Sequence, residues 1–478
     1  MNRSMTKSTM GMLAVVMVTT VALAQGPGGG GATPPSDCSA SAYTQDGGTK
    51  VLWNKTYTAV DSASGTNCAV YATGGAKLKL NNSKLTSLQT AGGGGSGLEA
   101  NDSSVVTLNN AIINVDGVNG VYASSYDTAC YSTSGTETVS ALPCTWVTLN
   151  NVTINAVNSS AHGIDAMFMG RIDLNNVRIN TTGAQAAGAV VNDTGDGIVN
   201  ARNVFAHTEG AGSSGIYEIG SNSTFNIRDS VFIADTSDGA AVVVGGTANL
   251  SNTFVFGGKE GLLVDGTVTI DGGAVVGTVA GTASDSPYNG NPNTSTPFTF
   301  PSGNAINIMP FGAPAIFPAT VTVKNGAVLQ PVPGAYLIYE TSETGVDASG
   351  NPIVCTAAEQ AATPPACSVV NATFNAQDEF LRGDIHVVAD GSTLAVNLAH
   401  SKLRGAVANA GLTLDERSQW TVTGDSILTT LAVPGDSPLR YINSTGKYTV
   451  TYDSTIAANQ WLAKGTYYLR GGATLKPE

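Results

Sequence analysis

The sequence predicts an all-β fold, a right-handed parallel β-helix formed as a single-stranded solenoid. Three observations predict it. A nine-residue phrase recurs, "VTLNNVTIN" at 147–155 and "IDLNNVRIN" at 172–180. A second set of positions, glycine followed by an apolar residue, runs independently at the same period. The composition fits as well: 57 Gly in 478 residues and 12% charged residues disfavour helices, while 42% hydrophobic residues suffice for a core.

The repeated phrase alternates apolar and polar residues at period 2, the pattern of a half-buried strand. It recurs as "AKLKLNNSKL" at 76–85, "SVVTLNNAII" at 104–113, "STFNIRDSVF" at 223–232 and "GTVTIDGGAVV" at 266–276. Past the Asn the apolar residue changes face, which places the Asn at a bend between two strands. The expected bend column is Asn82, Asn110, Asn151, Asn176, Asn203, Asp229 and Asn252. It is expected as a buried row in which each amide donates to one neighbour and accepts from the other.

The glycine register consists of Gly97, Gly120, Gly163, Gly188, Gly215, Gly239 and Gly261, each expected at a turn. Spacings run from 22 to 27 residues, with one of 43 that spans the Cys130–Cys144 loop. A unit of that length with strands, turns and no helix cannot bury its own apolar face, but a stack of such units buries a continuous core.

In chain order, Arg3 and Lys7 precede the apolar run "MLAVVMVTTVALA", which ends in Ala22-Leu23-Ala24. Residues 1–24 therefore read as a secretory signal peptide, and "QGPGGGGATPPS" (25–36) as a flexible Gly/Pro-rich leader. The β-helix is expected over 37–478, with loop insertions at about 124–145, 284–303 and 340–370. Six cysteines suit an exported protein with disulfides, and nearest-neighbour pairing gives Cys38 with Cys68, Cys130 with Cys144 and Cys355 with Cys367. No zinc spacing or phosphate loop is present, so no metal and no cofactor is expected. Net charge is −13, or −15 once Arg3 and Lys7 are removed, which disfavours nucleic acid as a partner. No later apolar run is long enough for membrane insertion as a helix.

On the strands after the glycines, Glu99, Tyr122, Asp165, Val190 and Tyr217 form one expected outward column. Glu99 and Asp165 would stand two coils, about 10 Å, apart, near the upper end of the carboxylate spacing of inverting glycosidases. Tyr122 and Tyr217 would add aromatic faces, so Glu99, Tyr122, Asp165 and Tyr217 are the candidate ligand-binding residues; no catalytic residue is assigned.

The stretch from Gly383 onward carries a family likeness. "GDIHVVADGSTLAVNLAHSKLRGAV" and "LTLDERSQWTVTGDSILTTLAVPGD" resemble the distal passenger region of bacterial autotransporters of the pertactin kind. Ser418, Trp420, Val422, Thr423, Ser426 and Leu431 match its phrase. The resemblance implies a parallel β-helix displayed or released outside a Gram-negative cell, often an adhesin. No translocator barrel follows in this sequence, so surface display is expected to depend on another protein. The function expected is an exported adhesin or surface scaffold, non-catalytic, with an extracellular polysaccharide or a host or cell-surface protein as partner, and located in the medium or on the bacterial surface. The alternative is a polysaccharide lyase or glycoside hydrolase of the pectin-lyase-like fold.

Overall fold

Stacked coils of short strands, each coil hydrogen-bonded to the next in parallel, make up the molecule. The structure is a computed structural model that describes residues 38, 40–60, 67–89, 95–125, 145–159, 161–184, 186–191, 197–218, 222–236, 239–284, 299–310, 316–342, 354–362 and 369–478. The expected signal peptide and leader, within residues 1–37, lie outside these residues, as do 126–144, 285–298, 343–353 and 363–368 within the three expected insertions.

Three parallel ladders run along the stack. The first contains Lys77–Asn81, Val105–Asn109, Trp146–Asn150, Arg171–Asn175, Ile198–Arg202 and Thr224–Arg228, paired coil to coil. The second contains Lys84–Leu88, Ile112–Val115, Thr153–Ala156, Arg178–Thr181, Phe205–Thr208 and Val231–Ala234. The third contains Leu98–Ala100, Asn119–Ser124, His162–Met167, Ala187–Val191 and Ser214–Glu218. In two later coils a single strand, Thr247–Gly257 or Thr267–Gly277, serves both the first and the second ladder. The expected parallel β-helix is thus the observed fold.

Because successive side chains of a strand face opposite ways, the repeat phrase delivers its apolar residues to one interior. Val147, Leu149, Ile154, Ile172, Leu174 and Ile179 are all buried in one continuous core. Where one coil is small the next compensates: Ala201 and Ala206 stand opposite Ile227 and Phe232. Close-packed cores require such matching of volumes.

The bend column is in place, with one correction. Asn82, Asn110, Asn151, Asn176, Asn203, Asp229 and Asn252 share φ between 45° and 56°, and amide links run Asn110 to Asn82, Asn151 to Asn110, Asn176 to Asn151 and Asn203 to Asn176. Asn252 donates to Asp229. The column is exposed, however, not buried. It sits on a convex corner whose left-handed backbone Asn and Asp tolerate better than other side chains.

The glycines also need correcting. Gly163 lies inside the strand His162–Met167, not at a turn, and a Cβ there would stand 2.5 Å from the carbonyl oxygen of Gly188 in the next coil. Gly97, Gly120 and Gly188 meet the next coil's carbonyl in the same way. Close backbone approach between coils is what selects glycine here. Gly239 falls outside this column; Ala241 takes the place beside Gly215.

Cys38 and Cys68 form the expected disulfide, tying the first coil to the strand Asn67–Thr73. Cys355 is disulfide-bonded too, while Cys130, Cys144 and Cys367 lie outside the described residues. A disulfide implies assembly in an oxidising compartment. Among the described residues no helix is long and apolar enough to cross a membrane.

Candidate functional site

The first and second ladders alternate buried and accessible residues, but the third does not. Trp146–Asn150 runs half-buried, buried, half-buried, whereas Asn119–Ser124 is buried at every position. The third ladder is therefore covered on both faces. Its outer column contains the candidate ligand residues, and the register is the expected one: Glu99, Tyr122, Asp165, Val190 and Tyr217 are partners in successive coils.

Exposure departs from expectation. Glu99, Tyr122 and Asp165 are buried, and only Tyr217 is half-exposed. The cover over Tyr122 includes Met167 and Phe168, which cluster with it; Phe168 and Met169 turn the chain through left-handed backbone to put them there. Glu99 is occupied differently: its Oε1 accepts from the Asn101 amide at 3.0 Å, and its Oε2 lies 3.0 Å from the Cys38 sulfur. Cys38, Cys68 and Glu99 group closely enough for metal ligation, but both sulfurs are committed to the disulfide, so no thiolate is offered.

Asp165 has the most perturbed chemistry of the candidates. Its Oδ2 accepts from the Asn119 amide at 3.3 Å. Burial raises its pKa to about 7, and the Asn119 hydrogen bond only partly opposes that. His162, at the start of the same strand, accepts the Ala187 N–H on Nδ1 at 3.0 Å, and burial lowers its pKa to about 4. Arg171 is turned away to the first ladder, where it holds Asp173 at 2.8 Å and covers the Trp146 ring. The structure therefore does not bring His162, Arg171 and Asp165 into one open cleft.

Glu218 and Glu340 also stand in the covered ladder, and sequence reading passed over both. Burial raises Glu218 to about 9; Ser223 and Thr247 oppose and nearby Asp265 adds to it. Glu340 is raised well above the ordinary range by burial and by Asp390. Each follows its ladder's apolar positions by simple alternation, so a carboxylate in an otherwise Ala/Val/Ile column was the available signal.

The accessible surfaces are the outer faces of the first and second ladders. On the first, Thr224, Thr247, Thr267 and Thr320 follow one another coil by coil beside Asn226, Asn249, Thr269 and Thr322. Amide ladders brace this face, Asn200 to Asp173, Asn226 to Asn200 and Asn249 to Asn226. On a separate four-stranded sheet farther along, the phrases "FLRG" at 380–383 and "KLRG" at 402–405 place Phe380 beside Lys402 and Arg382 beside Arg404.

Fold and surface together define a parallel β-solenoid with two regular open faces and one covered face rich in buried acids. No protein-family model matches the sequence, and no curated protein matches it.

Proposed function

We propose that this is an exported β-helical binding or scaffold module, an adhesin-like protein that works outside a bacterial cell. The observation that carries it is the open first-ladder face. Its hydroxyls and amides recur at the coil spacing of about 4.8 Å, and the amide ladders hold them in place before any ligand arrives. Such preorganisation lowers the cost of binding a long, repetitive partner. Extracellular polysaccharide is the partner of that description, and a cell-surface protein is the second. Support for export comes from the sequence of residues 1–24 and from the disulfides. The likeness to autotransporter passengers is consistent with the roles of its residues: Trp420 and Leu431 are core, and Ser418 and Ser426 are buried and donate to the backbone carbonyls of Leu398 and Gly424.

One observation favours the enzymatic alternative, the pKa of about 7 at Asp165, which suits a general acid at neutral pH. Its burial counts against access by a polymer. The deciding experiment incubates residues 25–478 with a panel of neutral and acidic polysaccharides and reads retention and new chain ends together. Retention without products is expected. Products that disappear in Asp165→Asn make the protein a glycan-degrading enzyme, and no retention on any polymer overturns the polysaccharide reading.

A further inference from the structure

The earliest described coils carry a surface unlike the rest of the two open faces. On the first ladder Thr49–Trp53 stacks on Lys77–Asn81, and on the second Thr56–Val60 stacks on Lys84–Leu88. Val51, Trp53, Val60, Leu88, Val105 and Ile112 are all exposed. Trp53 is 59% exposed, whereas Trp146, Trp420 and Trp461 are half-buried or buried. Lys50, Lys55, Lys77, Lys79 and Lys84 are exposed among these apolar residues. Register interleaves the two kinds: Val51 lies beside Lys79, Lys77 beside Val105, and Lys84 beside Ile112. Trp53 and Lys55 flank the left-handed bend at Asn54, whose side chain accepts from Asn82, so the patch wraps a convex corner.

Its charge is of one sign. Residues 49–60, 77–88 and 105–115 contain those five lysines and no Asp or Glu. The nearest described acids along the chain lie beyond both faces. Asp46 ends a third-ladder strand, Asp102 follows another and accepts from the Thr73 hydroxyl, and Asp116 follows the end of a second-ladder strand. Among the described residues none of the five lysines has an ion-pair partner. Farther along the first-ladder face the signs are mixed, and Arg171 and Lys324 are held by Asp173 and Asp271.

We propose that this corner adsorbs to an anionic lipid surface. The lysines stand over headgroup phosphates, and Trp53, Val51, Val60 and Ile112 enter the boundary between headgroups and acyl chains. Exposed aliphatic side chains gain by leaving water, and that boundary takes them in. Tryptophan suits it because its ring is apolar and its N–H is polar. Lysine stems cover apolar surface while their heads reach the phosphates. An anionic polysaccharide is the poorer fit: sugar rings stack on aromatic faces, and of the exposed apolar residues here only Trp53 is aromatic. The net charge of −13 does not forbid adsorption, since exposed charges more than about 8 Å away are largely screened at physiological salt. Surface and partner both differ from those of the polysaccharide reading, so the two proposals fail separately.

The test is co-sedimentation of residues 25–478 with vesicles of phosphatidylcholine, alone or with about one part in three of phosphatidylglycerol. Binding to the anionic vesicles alone, weakening with salt, is expected. Lys77→Gln with Lys79→Gln should weaken it by about tenfold or more. Lys402→Gln with Lys476→Gln removes the same charge far along the stack and should leave binding unchanged. Trp53→Thr with Ile112→Thr should weaken it too, by removing the inserted side chains. All six substituted positions are exposed, so each variant is expected to fold. Equal affinity of the two lysine double variants overturns the site. Full binding by Trp53→Thr with Ile112→Thr, when the Lys77 and Lys79 variant has lost it, marks a general polyanion site and overturns the lipid. Equal binding to neutral vesicles overturns the anionic class, and binding to neither kind overturns the proposal.

Discussion

Asn151 shows what one side chain contributes. Its backbone is left-handed at φ 54°, and its amide donates to Asn110 while its carbonyl accepts from Asn176. Asn151→Ala loses both features and should lower stability by about 1–2 kcal/mol. Asn151→Gly keeps the backbone and should cost less; the difference between the two in a urea titration measures the backbone share. Asp165 makes the pH-dependent case. Its ordinary value is 3.8 and its folded value about 7, so between them the folded chain retains a proton that the unfolded chain has released. Its stabilising share is therefore full below pH 3.8 and falls as pH rises toward 7. Asp165→Asn should remove that slope and stabilise the protein at pH 8 by about 2–4 kcal/mol, while the slope belonging to Glu218 continues toward pH 9.

At the scale of the element, the third ladder depends on coils that approach closely. A Cβ on Gly163 would stand 2.5 Å from Gly188 O and 2.3 Å from an Ile179 methyl carbon. Gly163→Ala should therefore spread two coils and cost about 1–3 kcal/mol, as overpacking does. Ala241, the column's own exception, should accept the reverse change to Gly with a smaller loss. The same ladder explains why the candidate site was only half legible. Its register followed from the repeat phrase, because strands stack residue on residue. Its burial did not, because the cover comes from side chains such as Phe168, placed by a turn that has no periodic signal.

For the whole molecule, stability is a sum over coils and their interfaces, so the terminal coils are the weakest. The Cys38–Cys68 bond closes a separation of 30 residues and fastens Ala40–Asp46 to Asn67–Thr73. Cys38→Ser with Cys68→Ser should destabilise by about 2–4 kcal/mol. Hydrogen exchange should then rise in residues 40–73 and stay unchanged around residue 200. A uniform rise along the chain would mean that the solenoid unfolds as one unit.

The sequence by itself determined the coil. Period 2 set the strands, the 22–27-residue period set the stacking, and the Asn or Asp column marked the bends. All of these are local or repeat with the chain, so they are written in consecutive residues. The tertiary structure alone decided which faces are open. Whether the Glu99–Tyr217 column meets water depends on residues outside its own strands. Whether Asp165 and Glu218 keep their protons depends on the side chains packed over them. Periodicity carries no information about either, because burial and charge pairing are settled by neighbours that are distant along the chain.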